Sequence, residues 1–408
     1  MTADRLVINP RLQIEVEDDN VCVRNPFHDL DFRAQLRIKR LLDFCVVPQP
    51  RSAIQSRFGL DDKLWELLLG SFVLLREDEV DFLSAGFVRA EPLVVGQRCG
   101  WPELPYRARP GAFGIFGVPL DLGSAVESGA REGPRWIRQA MKESYLGEAA
   151  DAVIDLELRR EYDLTRLMVL DVGNIDYVPG EALANVGARI EKLMARLLEL
   201  EMVPVMLGGD HSLTHYALRA LFRHHPRVGV LHFDAHPDHY VGPYRAMNVL
   251  NHANPFYFAC QSSSLAVLRQ LGLRTMERVA PRTRKVVDPR VSYVSAFELQ
   301  RCTPADAFAG LPRDLPYYLS FDVDCLDPLV APETGSTVVG GLSYYQALEL
   351  IDYASQNFNI IGADFVEVSR RVGPVHLACQ AVARYLTTLI LNSQSFAPVD
   401  GYLFQSTR

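Results

Sequence analysis

The sequence of 408 residues lacks several features that mark membrane, secreted or nucleic-acid-binding proteins. No apolar run approaches the roughly 18 residues that a membrane-spanning helix requires. The first residues, MTADR, show neither the basic start nor the apolar stretch of a signal peptide. The net charge of −8 does not favour electrostatic binding of the whole chain to nucleic acid or to an anionic membrane. We therefore expect a cytoplasmic protein that binds neither.

The seven cysteines are scattered along the chain, and no two of them form a Cys-x-x-Cys pair. Their odd number and irregular spacing indicate neither a disulfide framework nor a zinc ribbon. We expect reduced thiols, most of them buried.

Hydrophobic residues make up 48% of the chain, which is enough for a large core and for two domains. Glycine and proline collect at 99–105, which predicts a boundary between a small α+β domain, residues 1–105, and a larger domain, residues 106–408. The small domain shows β-type runs and then helical patterns, at 5–9, 12–16, 21–24, 32–44 and 61–75. Because it carries more acidic than basic residues, DNA binding is not expected even if the fold is winged-helix-like.

The larger domain alternates buried strands with helices. Apolar runs of strand length occur at 113–118, 167–170, 203–207, 228–233, 317–321 and 360–368, with helical patterns such as 182–200 and 344–355 between them. Continuous β-branched runs separated by helices predict a mainly parallel sheet covered on both faces. In such sheets the functional groups gather at the carboxyl ends of the strands.

Two short acidic runs follow two of the predicted strands. Asp234, His236 and Asp238 alternate after 228–233, and Asp322 and Asp324 follow 317–321. Extended chain places alternate side chains on one face, so each run directs its ligands at one place. Several carboxylates there would repel one another and their pKa values would rise, whereas divalent cations would relieve the repulsion. The runs therefore predict a two-metal hydrolase.

A third segment, GGDHS at 208–212, contributes His211 after another predicted strand. A glycine turn with a helix cap explains this segment equally well when it is taken alone. A zinc-protease pair of His211 and His215 is rejected because Ser212 stands where that motif requires Glu. Mixed imidazole and carboxylate donors suit Mn, Fe, Ni or Zn better than Ca, and two metals need shared carboxylates. The predicted metal ligands are His211, Asp234, His236, Asp238, Asp322 and Asp324.

GGDHS, DAHPD and SFDVDCLDP, in this order, resemble the three signatures of the ureohydrolases, the family of arginase and agmatinase. The segments at 117–123, 129–134 and 340–343 are similar to other parts of that family, and the resemblance extends over about 111–391. It implies a three-layer α/β/α fold, a homo-oligomer of three or six subunits, and two divalent cations, most typically Mn²⁺, with Ni²⁺, Co²⁺ or Fe²⁺ as alternatives.

The resemblance also implies how the ligands are shared. The bridging carboxylates would be Asp234 and Asp322. His211 and Asp238 would complete the coordination of one metal, and His236 and Asp324 that of the other. The first full set is then His211, Asp234, Asp238 and Asp322. The second is Asp234, His236, Asp322 and Asp324. A hydroxide shared by the metals would attack the guanidinium carbon and release urea and an amine.

Two further residues take roles from the resemblance, and Asp238 is counted with them as catalytic. His252, in NHANPF, would bind substrate and carry a proton to the leaving amine. Glu367, in GADFVEV, would hold the guanidinium by a charge-assisted pair. The alternative to these roles is that His252 is a loop residue without a catalytic role, and that Glu367 forms an internal ion pair with Arg370 or Arg371. The chain departs from the family at Ala253, usually Gly, and at 370–371, often Asn-Pro.

The segment 239–250 lacks the Ser/Asn-rich stretch with which arginases grip the carboxylate of free arginine. Agmatine, a guanidino acid or peptidyl arginine, converted to ornithine, is therefore expected instead. Residues 1–105 loosely resemble small peptide-recognition domains of ribosomal peptide pathways; alternatively they serve packing or oligomerisation. Two other functions stay open, a formiminoglutamase-like C–N hydrolase and a non-catalytic metal-binding regulator.

Overall fold

A computed structural model shows two compact units, residues 1–90 with 99–107, and residues 91–98 with 108–408. The structure describes residues 5–9, 12–18, 20–25, 30–70, 73–76, 88–89, 96–99, 104–124, 129–144, 151–175, 177, 180–239, 249–276, 288–369 and 376–399. None of the described helices combines the length and the apolar character that crossing a bilayer requires.

The first unit mixes short strands with short helices. Its elements are β1 (Arg5–Ile8), β2 (Gln13–Glu17), β3 (Asn20–Asn25), β4 (Leu30–Gln35), α1 (Leu36–Phe44), β5 (Gln49–Pro50), α2 (Arg51–Phe58), α3 (Asp62–Gly70), β6 (Leu74–Arg76) and β7 (Val88–Arg89), followed after residue 98 by α4 (Leu104–Arg107). The antiparallel sheets β2-β3-β4 and β5-β1-β6 share an apolar core with the helices.

Two predicted helices of this unit have different bounds. The pattern at 32–44 contains strand β4 before α1, because Phe32 and Ala34 alternate toward the core beside their partners on β3. The pattern at 61–75 ends at Gly70, and the chain then enters β6. Helix α2 was not predicted, because it buries only Ile54 and Phe58 and so carries a weak periodic signal.

The second unit alternates strands and helices, as predicted. Its elements are β8 (Gln97–Arg98), β9 (Phe113–Gly117), α5 (Gly133–Ser144), β10 (Ala152–Asp155), β11 (Arg160–Asp163), β12 (Val169–Ile175), α6 (Leu183–Glu199), β13 (Val203–Leu207), α7 (Thr214–His224), β14 (Val228–Phe233), α8 (Pro255–Ala259), β15 (Leu265–Leu273), β16 (Val291–Ser295), α9 (Ala296–Leu299), α10 (Pro304–Ala307), β17 (Pro316–Asp322), α11 (Tyr344–Asn357), β18 (Asn359–Val366), α12 (Leu377–Leu391) and β19 (Phe396–Pro398).

Eight parallel strands form the central sheet, in the order β16-β15-β14-β17-β18-β13-β9-β12, and β8 pairs with β12. The predicted mainly parallel sheet is therefore confirmed. Strands β15 and β16 were not predicted, because Arg269 and Gln270 interrupt the apolar run of β15 and β16 is only half-buried.

Helices cover both faces of this sheet. On one face, Ile115 of β9 joins a core with Ile137 of α5 and with apolar side chains of α11 and α12. On the other face, Gly114 lies against Leu197 of α6, because a Cβ atom on this glycine would come 2.6 Å from that side chain. Adjacent residues of one strand thus meet different helix layers, and the α/β/α arrangement follows.

Four central neighbours, β14, β17, β18 and β13, end at the same edge of the sheet because they are parallel. The predicted ligand segments follow β13, β14 and β17, and Glu367 follows β18. The sheet itself therefore assembles the candidate site.

A buried ion pair joins α5 to β12. The Arg138 guanidinium donates to both carboxylate oxygens of Asp171, at 2.8 and 2.9 Å, and also to Asn174 and the Gly173 carbonyl. Both charged side chains are fully buried. Losing one partner would leave the other charge without compensation in a region that excludes water.

We predict that Asp171→Asn, which keeps the shape and removes the charge, destabilises the protein by about 3–5 kcal/mol. The exposed pair of Arg196 and Glu199 offers a matched control, since Glu199→Gln should change stability by no more than about 0.5 kcal/mol. Urea denaturation followed by circular dichroism measures both. Equal, small losses would show that the buried pair does not hold α5 to the sheet.

Candidate metal centre

All six predicted ligands lie together at the carboxyl edge of the sheet. Each of the three loops leaves a strand, β13, β14 or β17, that is buried at every residue except the first of β13 and the first of β17. Gly209 allows the first loop to turn closely, because a Cβ atom there would come 1.6 Å from the Leu120 carbonyl oxygen. Asp210 then caps a short 3₁₀ turn by accepting the Ser212 N–H, which presents His211 to the other loops.

The His211 ring faces three carboxylates. Its Nδ1 lies 2.9 Å from Asp238 Oδ2, 3.2 Å from Asp234 Oδ2 and 3.3 Å from Asp322 Oδ2. Within the described part of the chain, this buried nitrogen forms no hydrogen bond. Four donor atoms from three loops thus converge on one point.

The contacts of the other ring nitrogen, Nε2, indicate which nitrogen of His211 carries a proton. His211 Nε2 is 3.0 Å from Ser320 Oγ, and that hydroxyl donates to Asp364 Oδ1 at 2.7 Å. Because the hydroxyl proton is committed to Asp364, Ser320 accepts from His211, so Nε2 carries a proton; in the neutral ring, which a cation at Nδ1 would favour, Nδ1 is the nitrogen without one. The Nδ1 lone pair then faces carboxylate oxygens, an arrangement that a divalent cation stabilises.

A second group of donors adjoins the first. His236 Nδ1 lies 3.0 Å from Asp324 Oδ2 and 3.4 Å from Asp234 Oδ1, and ligand atoms of these three residues lie within 4.8 Å of one another. Backbone N–H groups orient the carboxylates: His236 donates to Asp234, Ala235 to Asp324, and Asp324 to Asp322. Asp234 contributes one oxygen to each group, as a bridging carboxylate requires.

The electrostatics of this edge favour cations. Burial, reinforced by the nearby Asp234 carboxylate, raises the pKa of Asp324 to about 7. Burial and the neighbouring carboxylates of Asp324 and Asp234 raise the pKa of Asp322 well above its usual range. Charge-sharing with two divalent cations would remove both penalties, so the residues present fit a binuclear centre.

His232 was not among the predicted site residues. Its Nε2 lies 2.8 Å from Asp234 Oδ2, while Gln270 Nε2 lies 3.0 Å from its Nδ1 and also donates to the Pro237 carbonyl. Burial lowers the pKa of His232 despite the nearby carboxylate, so a neutral ring donates to Asp234. Although its ligand atoms group with those of His211 and Asp234, both of its nitrogens are engaged, and it orients a ligand instead. The alternation of 232, 234, 236 and 238 was the available signal.

Glu367 and His252 lie beside the ligand edge. Glu367 is buried at a φ of 61°, and its Oε1 accepts the His211 N–H at 2.8 Å. His252 Nδ1 is 3.6 Å from the same oxygen. Burial would lower the pKa of His252, but the Glu367 carboxylate outweighs burial and raises it. Arg370 and Arg371, the alternative partners of Glu367, lie outside the described residues.

Other residues near the predicted ligands in sequence have different surroundings. Ala253 does not adopt a positive φ, so alanine fits the backbone where the family usually has glycine. Residues 240–248, most of the segment that the sequence analysis compared with the arginases, lie outside the described residues. His215 is apart from the ligands and packs against Tyr216 and Phe258. Asp327 accepts the backbone N–H groups of Leu329 and Gly340.

We predict that Asp234→Asn or Asp322→Asn abolishes turnover and metal occupancy, because each change removes a carboxylate charge that both metals would share. Elemental analysis of the dialysed protein measures the bound metal per chain. Asp327→Asn is the matched control in the same segment and should keep full occupancy. Wild-type metal content in either test variant would contradict the bridging roles.

We also predict that Ser320→Ala weakens metal binding by about 10- to 100-fold, because the Nε2 proton of His211 loses its acceptor and the ring its fixed orientation. Competition with a chromogenic chelator measures the affinity. Ser343→Ala, which removes an exposed helix cap, is the control and should leave metal affinity unchanged. Unchanged affinity in Ser320→Ala would show that the ring needs no such support.

Comparisons with known proteins agree with this geometry. A sequence model of the arginase family matches residues 112–390. An agmatinase of Sodalis glossinidius is 31% identical over 308 residues, which cover 73% of this chain and 92% of that protein. The solved structure of proclavaminate amidino hydrolase from Streptomyces clavuligerus has a TM-score of 0.61 and 25% identity, and the match covers 74% of this chain and 97% of that one.

The fold is also shared with formimidoylglutamase from Bacillus subtilis, at a TM-score of 0.60 and 21% identity over 76% of this chain and 98% of that one. Members of the matched family use a centre of two divalent metal ions. Since the family match extends over more than half of the chain, this protein belongs to the arginase family of ureohydrolases, which hydrolyse carbon–nitrogen bonds of linear amidines.

Proposed function

We propose that this protein hydrolyses a guanidino group to urea and an amine. The observation that carries the proposal is that Glu367 and His252 lie beside an edge where six candidate metal-ligand side chains converge. The proposed ligands are His211, Asp234, His236, Asp238, Asp322 and Asp324. When bound, the two cations supply a water acidic enough to lose a proton near neutral pH.

Glu367 would bind the planar cation of the substrate. Its Oε1 is held by the His211 N–H, and within the described residues its Oε2 forms no hydrogen bond. A buried carboxylate with a free oxygen favours a charged donor, and a guanidinium offers parallel N–H groups that match a carboxylate. Because the carboxylate is tied to the backbone of a metal ligand, a guanidinium bound there would lie close to the metals.

His252 would supply the proton that the leaving amine requires. Its side chain is largely buried, with 13% exposed, and it faces Glu367. The carboxylate favours the protonated imidazole, which is the form that acts as an acid. Asp238 adjoins His211, and its negative charge also favours the protonated form of His252. Its backbone has a strained φ of 44°.

The substrate we propose is agmatine, another guanidino compound without a free amino-acid head, or an arginine side chain within a peptide. The Sodalis relative is named an agmatinase and the Streptomyces neighbour acts, by its name, on the amidino group of a proclavaminate, which supports an amidine but leaves the remainder of the substrate open. We propose Mn²⁺ as the metal, cytoplasmic location, and assembly into trimers or hexamers.

For the first unit we propose peptide recognition. The antiparallel sheet β2-β3-β4 has two outer strands, and an outer strand can add an extended peptide through backbone hydrogen bonds. Strand β2 is mostly exposed, as docking of a further strand requires. In this proposal the first unit would retain an arginine-containing peptide and raise its local concentration at the second unit.

We predict that the Mn²⁺-loaded chain releases urea from agmatine, 4-guanidinobutyrate or arginyl peptides with a kcat/KM at least about tenfold above that for free arginine. The physical reason is that the chain lacks the stretch that would grip the free carboxylate and amine. A colorimetric urea assay measures the rates, and the Asp322→Asn protein is the inactive control.

The same panel separates the alternatives. If the protein released formamide from formiminoglutamate and no urea from any guanidino compound, the formiminoglutamase-like C–N hydrolysis would be the correct function. Bound metal with no product from any substrate under Mn²⁺, Ni²⁺, Co²⁺ or Fe²⁺ would indicate a non-catalytic regulator. Arginyl peptides that react no better than agmatine would remove the peptide-binding role of the first unit.

A further inference from the structure

One buried carboxylate at the site takes no part in the predicted metal sets. Asp210 is fully buried and directly precedes His211. Its Oδ1 accepts the N–H and the hydroxyl of Ser212, and its Oδ2 accepts the Gly123 N–H at 2.8 Å. The N–H of Asp210 itself donates to the Leu120 carbonyl at 3.0 Å. This residue thus fastens the loop after β9 to the loop after β13 from two directions.

The fastened loop holds His252. The carbonyl of Gly123 accepts the His252 N–H at 3.1 Å, so one peptide residue joins Asp210 to the imidazole-bearing segment. Gly123 also fits closely, because a Cβ atom there would come 2.4 Å from Ser212 Oγ and 2.7 Å from Asp210 Oδ1. There is no room for the loop to shift toward the carboxylate.

Glu367 is tied to the same stretch of backbone. Its N–H donates to the Gly209 carbonyl at 2.9 Å, and its carboxylate accepts the His211 N–H. Asp210 therefore lies between the contacts that place Glu367 and the contact that places His252. The spacing of those two side chains depends on how firmly the Gly123 peptide is held.

We propose that Asp210 is a positioning residue that sets His252 against Glu367 through the Gly123 peptide. This inference rests on the proposed function, because it assigns His252 and Glu367 to one substrate. It requires no direct contact of Asp210 with the substrate or with a metal.

An amide cannot replace this carboxylate. Both oxygens of Asp210 accept backbone N–H groups, from Gly123 and from Ser212. In Asp210→Asn, either orientation of the side chain directs an NH₂ group at one of these donors, so one hydrogen bond is lost while the volume is kept. Ser212→Ala is the matched control, since it removes the hydroxyl donor and leaves the Gly123 contact in place.

Hydrogen exchange of the full-length, metal-loaded protein tests the positioning without turnover. In Asp210→Asn, peptides that contain 118–124 and 249–254 should exchange at least about tenfold faster, while peptides from β14 and β17 stay protected. Ser212→Ala should leave both loops near the wild-type rate, and bound metal per chain should be unchanged in both variants. Wild-type exchange in the two loops of Asp210→Asn would overturn the proposal.

A double-mutant cycle tests whether Asp210 acts through His252. Asp210→Asn should lower kcat by up to about 100-fold when His252 is present, with KM changed less, because misplacement of about 1 Å costs that much. In a His252→Ala background the same change should lower kcat by less than about threefold, since the group that it positions is gone. An equal loss in both backgrounds, or a loss of bound metal, would indicate a general structural role and overturn the proposal.

Gly123→Ala provides a second variant if Asp210→Asn folds poorly, because the added methyl group separates the same two loops while the carboxylate stays. It should speed exchange in 118–124 and 249–254 in the same way, and unchanged exchange there would overturn the proposal. If the wild-type protein released no urea, the proposed function would fail, and the exchange data would still decide whether Asp210 holds the His252 segment.

Discussion

Repulsion among carboxylates that share one buried edge is the constraint on which the arrangement of this site depends. Asp234, Asp238, Asp322 and Asp324 lie at the ends of neighbouring strands, where little water can screen them. Several donors are directed at this charge: the backbone N–H groups of Ala235, His236 and Asp324, and the His232 ring. These donors satisfy part of the Asp234, Asp322 and Asp324 carboxylates. Other carboxylate oxygens at this edge still face one another, which is the condition that divalent cations relieve.

Hydrogen bonds with groups outside the candidate ligand set determine the ring protons of His211 and His232. Asp364 accepts hydrogen bonds from the hydroxyls of Thr214, Tyr318 and Ser320, so the Ser320 hydroxyl cannot turn to donate toward His211. On the opposite side, Gln270 fixes the proton of His232. Hydrogen bonds with Ser320 and Gln270 thus favour one tautomer of each ring, and the candidate ligands His211 and Asp234 would be oriented before any cation binds.

The sequence predicts the parts of this molecule that have a regular period. Strands β13 and β14 have the predicted bounds because each is a continuous apolar run that ends at glycine or aspartate. The ligand runs were readable because they follow buried strands, but the predicted extended geometry is wrong: Asp324 lies in a 3₁₀ turn and Asp238 has a φ of 44°, so turns bring these residues together. The contact of Ser320 with Asp364 joins two strands distant in sequence, and the hold of Asp210 on Gly123 joins two loops, so no local pattern could reveal either. Strand β4 resembled the start of a helix because Phe32 and Ala34 merge with the apolar spacing of α1.

The path of the chain between the two units limits how they can be separated. The chain crosses from one to the other after residues 90, 98 and 107, and the short segment between the first two crossings contains β8, which pairs with β12. A single cut after residue 105 would remove the first unit together with that strand and leave one side of β12 unpaired. A deletion meant to isolate the second unit would therefore have to keep residues 91–98, which belong to that unit although they precede part of the first unit in the chain.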